Sequence, residues 1–273
     1  MIKLVAFDLD KTLLDNQGRL PSDFLEQQNK LMKMGIQIAV VTTQPYGSVK
    51  KLFGDAFAHL IGACGNGNCI FGNDIYEILH RYEKADILHL LDFLPNDPEL
   101  AICFSGHQGD YTDPISLERF HQHEKSWLIP NVLDIEEYYQ CGDEIYNASF
   151  LCFPPDQGMD FSAFADEKCK TTLKNVSSQY KLTHAGYGWI SVLPHDCGKR
   201  LGLQKVMESI KATKDEVLAF GDSDNDIPMF ELVTHSFAMK NADKNVKEHA
   251  LHITEYDNNQ NGAMRAVFDF LSK

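Results

Sequence analysis

The chain has 273 residues, 44% hydrophobic and 23% charged, a composition that suits a soluble globular protein. That length exceeds one ordinary core of about 100–200 residues, so two unequal domains are expected. A formal net charge of −14 without a basic block argues against binding nucleic acid or an anionic membrane surface, and no run reaches the roughly 18 apolar residues of a membrane span. The N-terminus reads directly into a strand: residues 2–7 are apolar but for Lys3, as expected of a strand buried on both faces of a parallel sheet. Pro21 and Ser22 open a helix, with Ser22 as N-cap, Phe24, Leu25, Gln28, Leu31 and Met32 at helical spacing, and Gly35 as its end. Residues 36–41 form a second buried strand that stops at Thr42-Thr43-Gln44-Pro45. A short helix over 46–53, a strand over 59–61 and a turn over 62–67 complete a β-α-β-α-β order, which predicts an open parallel sheet with right-handed crossovers.

From about residue 81 to 185 the character changes. Helices over 84–93, 117–125 and 161–175 alternate with strands over 100–104, 147–153 and, just beyond, 189–193. This predicts an inserted α+β domain over 81–185, with hinges near 78–81 and 183–188. The first grammar then returns: a helix over 199–210, a buried strand over 217–220, a short helix over 226–233, short strands over 236–239 and 251–253, and a closing helix over 263–271. The seven cysteines (Cys64, Cys69, Cys103, Cys141, Cys152, Cys169 and Cys197) are odd in number and lack a Cys-x-x-Cys pair. Free thiols in a reducing cytoplasm are expected.

Chemistry concentrates where the strands end. Asp8 and Asp10 follow the first strand, and alternation in an extended segment points both to one side and Leu9 to the other. Thr42 follows the second strand. Asp222 follows residues 217–220, with Asn225 and Asp226 one helical turn on, and Lys199 starts the helix after the insertion. In open α/β sheets, ligands bind beyond the carboxyl ends of the strands. If Asp8, Asp10, Asp222 and Asp226 converge, each like-charge pair at about 4 Å costs roughly 4 kcal/mol at an effective dielectric near 20. Several such pairs rival the ~5–15 kcal/mol net stability of a whole domain. A bound divalent cation removes that cost, and oxygen-only ligands favour a hard ion such as Mg²⁺. Singly, each Asp is better explained as a cap or turn former; four in this arrangement are not. Carboxylates, a hydroxyl, a lysine and a metal are what phosphoryl transfer requires. The eleven histidines show no ligand spacing, so zinc is not expected.

Asp8-x-Asp10-x-Thr12, Thr42, Lys199 and Gly221-Asp222-x-x-Asn225-Asp226, in that order, resemble the four motifs of the haloacid dehalogenase-like superfamily of phosphatases. Within it the chain looks like the Cof-type hydrolases, whose cap is inserted between the second and third motifs. Asn66-Gly67 and Met239-Lys240-Asn241-Ala242 match lesser features, and the resemblance covers essentially the whole chain. It implies an α/β fold: a Rossmann-like parallel-sheet core over 1–80 and 186–273, and an α+β cap over 81–185 that sets substrate specificity. It also implies that Asp8 is a nucleophile forming an aspartyl-phosphate and that Asp10 is the general acid and base. The implied Mg²⁺ is held by the carboxylates of Asp8 and Asp222 and the backbone carbonyl of Asp10. Asp226 either binds it through water or orients Lys199. Thr42, Thr43, Lys199 and Asn225 are the implied phosphate holders, and Thr12 braces the loops. The chain departs from the family at Lys11, where many relatives have Gly, and at Thr42-Thr43-Gln44, where they have Thr-Gly-Arg; Gln44 thereby removes a positive charge. The implied activity is Mg²⁺-dependent phosphomonoester hydrolysis on small cytosolic metabolites, such as sugar phosphates or phosphorylated cofactors, by a cytoplasmic monomer or weak homodimer. The alternatives are a phosphomutase using the same intermediate and a catalytically silent metabolite-binding relative.

Overall fold

The computed structural model describes residues 1–94, 97–122, 132–154, 160–186 and 188–273. The chain divides into two compact units, Met1–Glu77 with Cys197–Lys273, and Ile78–Asp196. The first unit opens with β1 (Leu4–Phe7), whose four side chains are all fully buried, as a strand covered on both faces must be. A wide turn over Leu9–Leu13 leads to α1 (Phe24–Lys33), β2 (Gln37–Val41), α2 (Tyr46–Phe53) and a tight helical turn Gly54–His59. Ser22 does not cap α1. Phe24 N–H donates to Pro21 O at 2.9 Å, so residues 21–24 form a turn and the cap position falls to Asp23. The third strand, β3 (Leu60–Cys64), runs through Gly62 rather than turning there, and is followed by β4 (Cys69–Gly72) and β5 (Ile75–Ile78). Cys64 and Cys69 face each other across the antiparallel β3–β4 pair as free thiols.

The second unit contains α3 (Lys84–Leu91), β6 (Leu100–Ser105), β7 (Asp110–Thr112), α4 (Pro114–Gln122), β8 (Val132–Asp134), α5 (Ile135–Cys141), β9 (Asn147–Cys152), α6 (Phe161–Lys170), β10 (Lys181–Gly186) and β11 (Trp189–Leu193). Its six-stranded sheet has the order β10-β11-β9-β6-β7-β8, antiparallel except for the parallel β7–β8 pair. One face is packed by a cluster that includes Ile102, Phe104, Phe150, Ile190 and Val192. The helix expected over 117–125 is α4; positions 123–125 lie outside the described residues. The helix expected over 161–175 ends at Lys170 and continues as tight turns over Thr172–Ser178. The boundary expected at 185/186 also moves. Trp189–Leu193 pairs antiparallel with both β9 and β10, so ladder hydrogen bonds hold it in the inserted unit, which extends to Asp196.

The first unit resumes with α7 (Lys199–Ser209), β12 (Val217–Gly221), α8 (Ile227–Phe230), β13 (His235–Ala238), α9 (Lys244–His249), β14 (His252–Ile253) and α10 (Gly262–Leu271). Its eight-stranded sheet has the order β14-β13-β12-β1-β2-β3-β4-β5, parallel from β14 to β3. The chain goes from β1 to β2 on one side and returns to β12 on the other. That reversal opens a crevice at the carboxyl ends of β1 and β12. Phe7, Phe220 and Phe237 bind the neighbouring strands beneath it, with ring centroids 5.1 and 4.6 Å apart along the row. Among the described residues no helix is long and apolar enough to cross a membrane.

Candidate active site

The crevice is built from chain ends that the sheet holds in register. Asp8 N–H donates to Phe220 O at 3.0 Å, extending the β1–β12 ladder one residue past β1 and fixing the Asp8 backbone beside β12. Lys199, at the first position of α7, is almost fully buried and donates from Nζ to Asp8 Oδ1 and to Asp226 Oδ1, each at 2.6 Å. The other oxygen of Asp226 accepts from the backbone N–H groups of Asp222 at 2.9 Å and Ser223 at 3.0 Å. Thr12, carried by the turn after β1, donates its hydroxyl to Asp222 Oδ1 at 3.1 Å. Asn241, after β13, braces the same turn from outside by donating to Lys11 O at 2.8 Å.

Three buried carboxylates, Asp8, Asp222 and Asp226, thus offer oxygens within 4.8 Å of one another. A single ammonium, Lys199, stands among them. One positive charge against three negative ones leaves a deficit of two, in surroundings that screen poorly. The titration behaviour reports the same crowding. Burial pushes the Asp8 carboxyl well above its usual range, Lys199 works against that, and the neighbouring carboxylates add to it. Burial raises Asp222 to about 7, reinforced by the charge of Asp226 and opposed by Lys199 and by the Thr12 hydrogen bond. For Lys199, burial alone would lower the ammonium; the charges of Asp226 and Asp8 outweigh it and hold the group above its ordinary value. A divalent cation with oxygen ligands fits this deficit in charge and in donor type, so the residues present suit Mg²⁺. Asp226 is the least free to ligate, since both its oxygens already accept hydrogen bonds.

The second strand contributes a different arrangement. Thr42, fully buried after β2, accepts at Oγ1 from Gln44 N–H at 3.1 Å, while its carbonyl accepts from Asn66 N–H at 2.8 Å. Gln44 donates from Nε2 to Asp10 Oδ2 at 2.9 Å. Burial raises the Asp10 carboxyl, with this hydrogen bond and the nearby lysines pulling it down. Of the residues named from sequence, then, the structure joins Asp8, Lys199, Asp226, Asp222 and Thr12 in one bonded cluster. It joins Asp10 to the Thr42 loop through Gln44. Thr43 is half-buried, with no side-chain hydrogen bond to the cluster, and Asn225 keeps a buried Oδ1 without a hydrogen-bond partner among the described residues. One feature was not legible in the sequence: the Gln44–Asp10 contact, since sequence showed Gln44 only as a missing charge. Asn66, matched in sequence only as a lesser family feature, has a buried side-chain amide whose oxygen and nitrogen have no hydrogen-bond partner among the described residues.

Comparison with known proteins shows the family of the chain. The family model described as haloacid dehalogenase-like hydrolase matches residues 5–267. The chain is 27% identical to a 5-amino-6-(5-phospho-D-ribitylamino)uracil phosphatase of Bacillus subtilis, covering 99% of both chains. It is 25% identical to an HMP-PP phosphatase of an Enterobacter species, over 89% of this chain and 85% of that one. The crystal structure of SMU.1108c from Streptococcus mutans superposes on the whole of both chains with a TM-score of 0.82 at 23% identity, a likeness of fold.

Proposed function

The chain belongs to the haloacid dehalogenase-like hydrolases and is a phosphatase, and from that premise we propose that it hydrolyses phosphomonoesters of small metabolites with Mg²⁺, through an aspartyl-phosphate on Asp8. The observation that carries this reading is the buried Asp8–Lys199–Asp226 chain beside Asp222, at the carboxyl ends of β1 and β12. In the first half-reaction an Asp8 oxygen forms a bond to phosphorus while the bond from phosphorus to the leaving oxygen breaks. Asp10 gives that oxygen a proton. In the second half-reaction a water oxygen bonds to phosphorus, Asp8 leaves, and Asp10 recovers the proton from the water. Lys199 offsets charge on the phosphoryl oxygens, and Thr42, with the backbone amide of Thr43, positions them; Asn225 offers its side chain to the same oxygens. The carboxylates of Asp8 and Asp222 and the carbonyl of Asp10 would hold Mg²⁺, with Asp226 braced as the positioner of Lys199. Bound there, Mg²⁺ supplies Lewis-acid charge that offsets the phosphoryl group.

The relatives named for a phosphoribityl compound and for HMP-PP support a substrate class of sugar phosphates or phosphorylated cofactors, met in the cytoplasm. The inserted unit is then the cap that selects among them. The test is phosphate release from a panel of such esters and from p-nitrophenyl phosphate, with Mg²⁺ and with EDTA. Turnover that persists in excess EDTA, or no turnover of any ester with Mg²⁺, overturns the reading.

A further inference from the structure

Gln44 is fixed by its neighbours on both sides. Its N–H donates to Thr42 Oγ1 at 3.1 Å and its carbonyl accepts from Gly65 N–H at 3.0 Å. Pro45 follows in extended conformation, and a residue before proline is itself kept out of the helical region. From this anchored backbone the side-chain Nε2 reaches Asp10 Oδ2 at 2.9 Å. Among the described residues this is the one hydrogen bond made to the Asp10 carboxylate. Asp10 has little else to hold it. It lies in the turn after β1, next to Lys11 in the left-handed region (φ 59), and its side chain is half-buried. The terminal torsion of an Asp is broad, so a carboxyl without a partner samples many orientations. Proton transfer to a leaving oxygen needs a heavy-atom approach of about 2.6–3.2 Å.

We propose that Gln44 is a positioning residue for the acid–base step: its amide binds Asp10 Oδ2 and thereby presents Oδ1 to the oxygen of the departing alcohol. The inference rests on the reading of Asp10 as the group that protonates that oxygen. An amide makes the contact without adding a charge beside the leaving group. Because Gln44 acts only through Asp10, its removal weighs on esters whose alcohol needs a proton to depart. It weighs far less on those with a stable leaving anion.

The experiment measures first-turnover release of the alcohol from ribose 5-phosphate and from p-nitrophenyl phosphate, with Mg²⁺, in the full-length protein. Gln44→Met keeps the length of the side chain and removes the donor. The ratio of the aryl to the alkyl rate is expected to rise at least about tenfold, in the direction that Asp10→Ala moves it, since general acids contribute roughly 10²–10⁴-fold. Gln44→Glu, a second variant with an acceptor in place of the donor, is expected to shift the ratio the same way, and Gln44→Arg, which keeps a donor, to bring it back toward wild type. In an Asp10→Ala background, Gln44→Met is expected to add no further shift. A ratio unchanged in Gln44→Met while Asp10→Ala shifts it overturns the positioning role, as does an equal loss on both esters or a change confined to KM. A ratio unmoved by Asp10→Ala itself removes the acid–base reading and the inference with it.

Discussion

At the scale of single residues, the site is defined by a charge imbalance that sequence could announce but not measure. Asp8, Asp222 and Asp226 share Lys199, and the shortfall of positive charge makes the metal-free cluster a source of instability. Asp8→Asn removes one negative charge while leaving Lys199 its contact with Asp226. Turnover is expected to fall by about 10³-fold or more, because the proposed nucleophile is gone. The melting temperature in EDTA at about pH 8 is expected to rise rather than fall; a drop in both activity and melting temperature would point to a structural role for Asp8. The pH dependence follows from the same groups. Asp222 is raised to about 7, and Asp8 and Asp10 are raised too, so the folded protein keeps protons that the unfolded chain has released. Between about pH 4 and pH 7 the unfolded state therefore binds fewer protons, and stability declines as pH rises through that window. Melting temperatures in EDTA are expected to decrease from about pH 5 to pH 8, with the stabilisation given by excess Mg²⁺ growing over the same range, because the ion binds the ionised carboxylates. A flat profile in EDTA would mean that these carboxylates are not short of counter-charge.

Whole elements place these residues, and close backbone approaches decide which side chains the elements tolerate. A Cβ built on Gly221, the last residue of β12, would lie 2.4 Å from Asp226 Cβ and 2.6 Å from its Oδ2. Gly221→Ala is therefore expected to push Asp226 off the Asp222 and Ser223 amides and off Lys199, lowering stability by about 1–3 kcal/mol and turnover by more than about tenfold. Urea unfolding and phosphate release check both, with Gly47→Ala as the comparison: nothing lies within 4 Å of a Cβ at Gly47, in α2. That change is expected to be neutral or to stabilise by up to about 1 kcal/mol. Glycine also explains what sequence left hidden. Residues 62–67 read as one long turn because three of the six are Gly. Yet Gly62 lies inside β3, where a Cβ would come within 2.3 Å of Val40 O; only Gly65, Asn66 and Gly67 turn the chain, all at positive φ. A glycine needed for close approach looks in sequence like a glycine needed for a bend, so β4 and β5 were lost with it. By contrast β1, β2, β12, β11 and α2 were legible because their apolar residues are buried in unbroken runs or at helical spacing. Three-residue strands such as β7 and β8 carry too little period to read. Strand ends likewise brought Asp8 and Asp222 into view, and a helix start brought Lys199. The Gln44–Asp10 bond depends on how far one loop side chain reaches toward another, which no spacing encodes.

For the whole molecule, the division of labour between the two units is the main consequence of the insertion. Every carboxylate proposed to hold the metal, together with Lys199 and Thr42, belongs to Met1–Glu77 with Cys197–Lys273. Ile78–Asp196 has its own sheet, its own apolar cluster and its own buried polar anchors. Asp143 accepts from the N–H groups of His107, Gln108 and Glu144 and from the Tyr111 hydroxyl, at 2.8–3.0 Å. Lys168 likewise bridges Asp97 at 2.6 Å and Glu99 at 2.7 Å. A ligand that binds only the folded state of one unit stabilises that unit by mass action, and it protects another only so far as the two open together. Hydrogen exchange with and without Mg²⁺ is therefore expected to show slowed exchange in β1, β12 and α7, and little change in β6, β9 and β11. Equal protection in both sheets would show that the units open as one cooperative body, and metal binding would then stabilise the whole chain rather than the parallel-sheet unit alone.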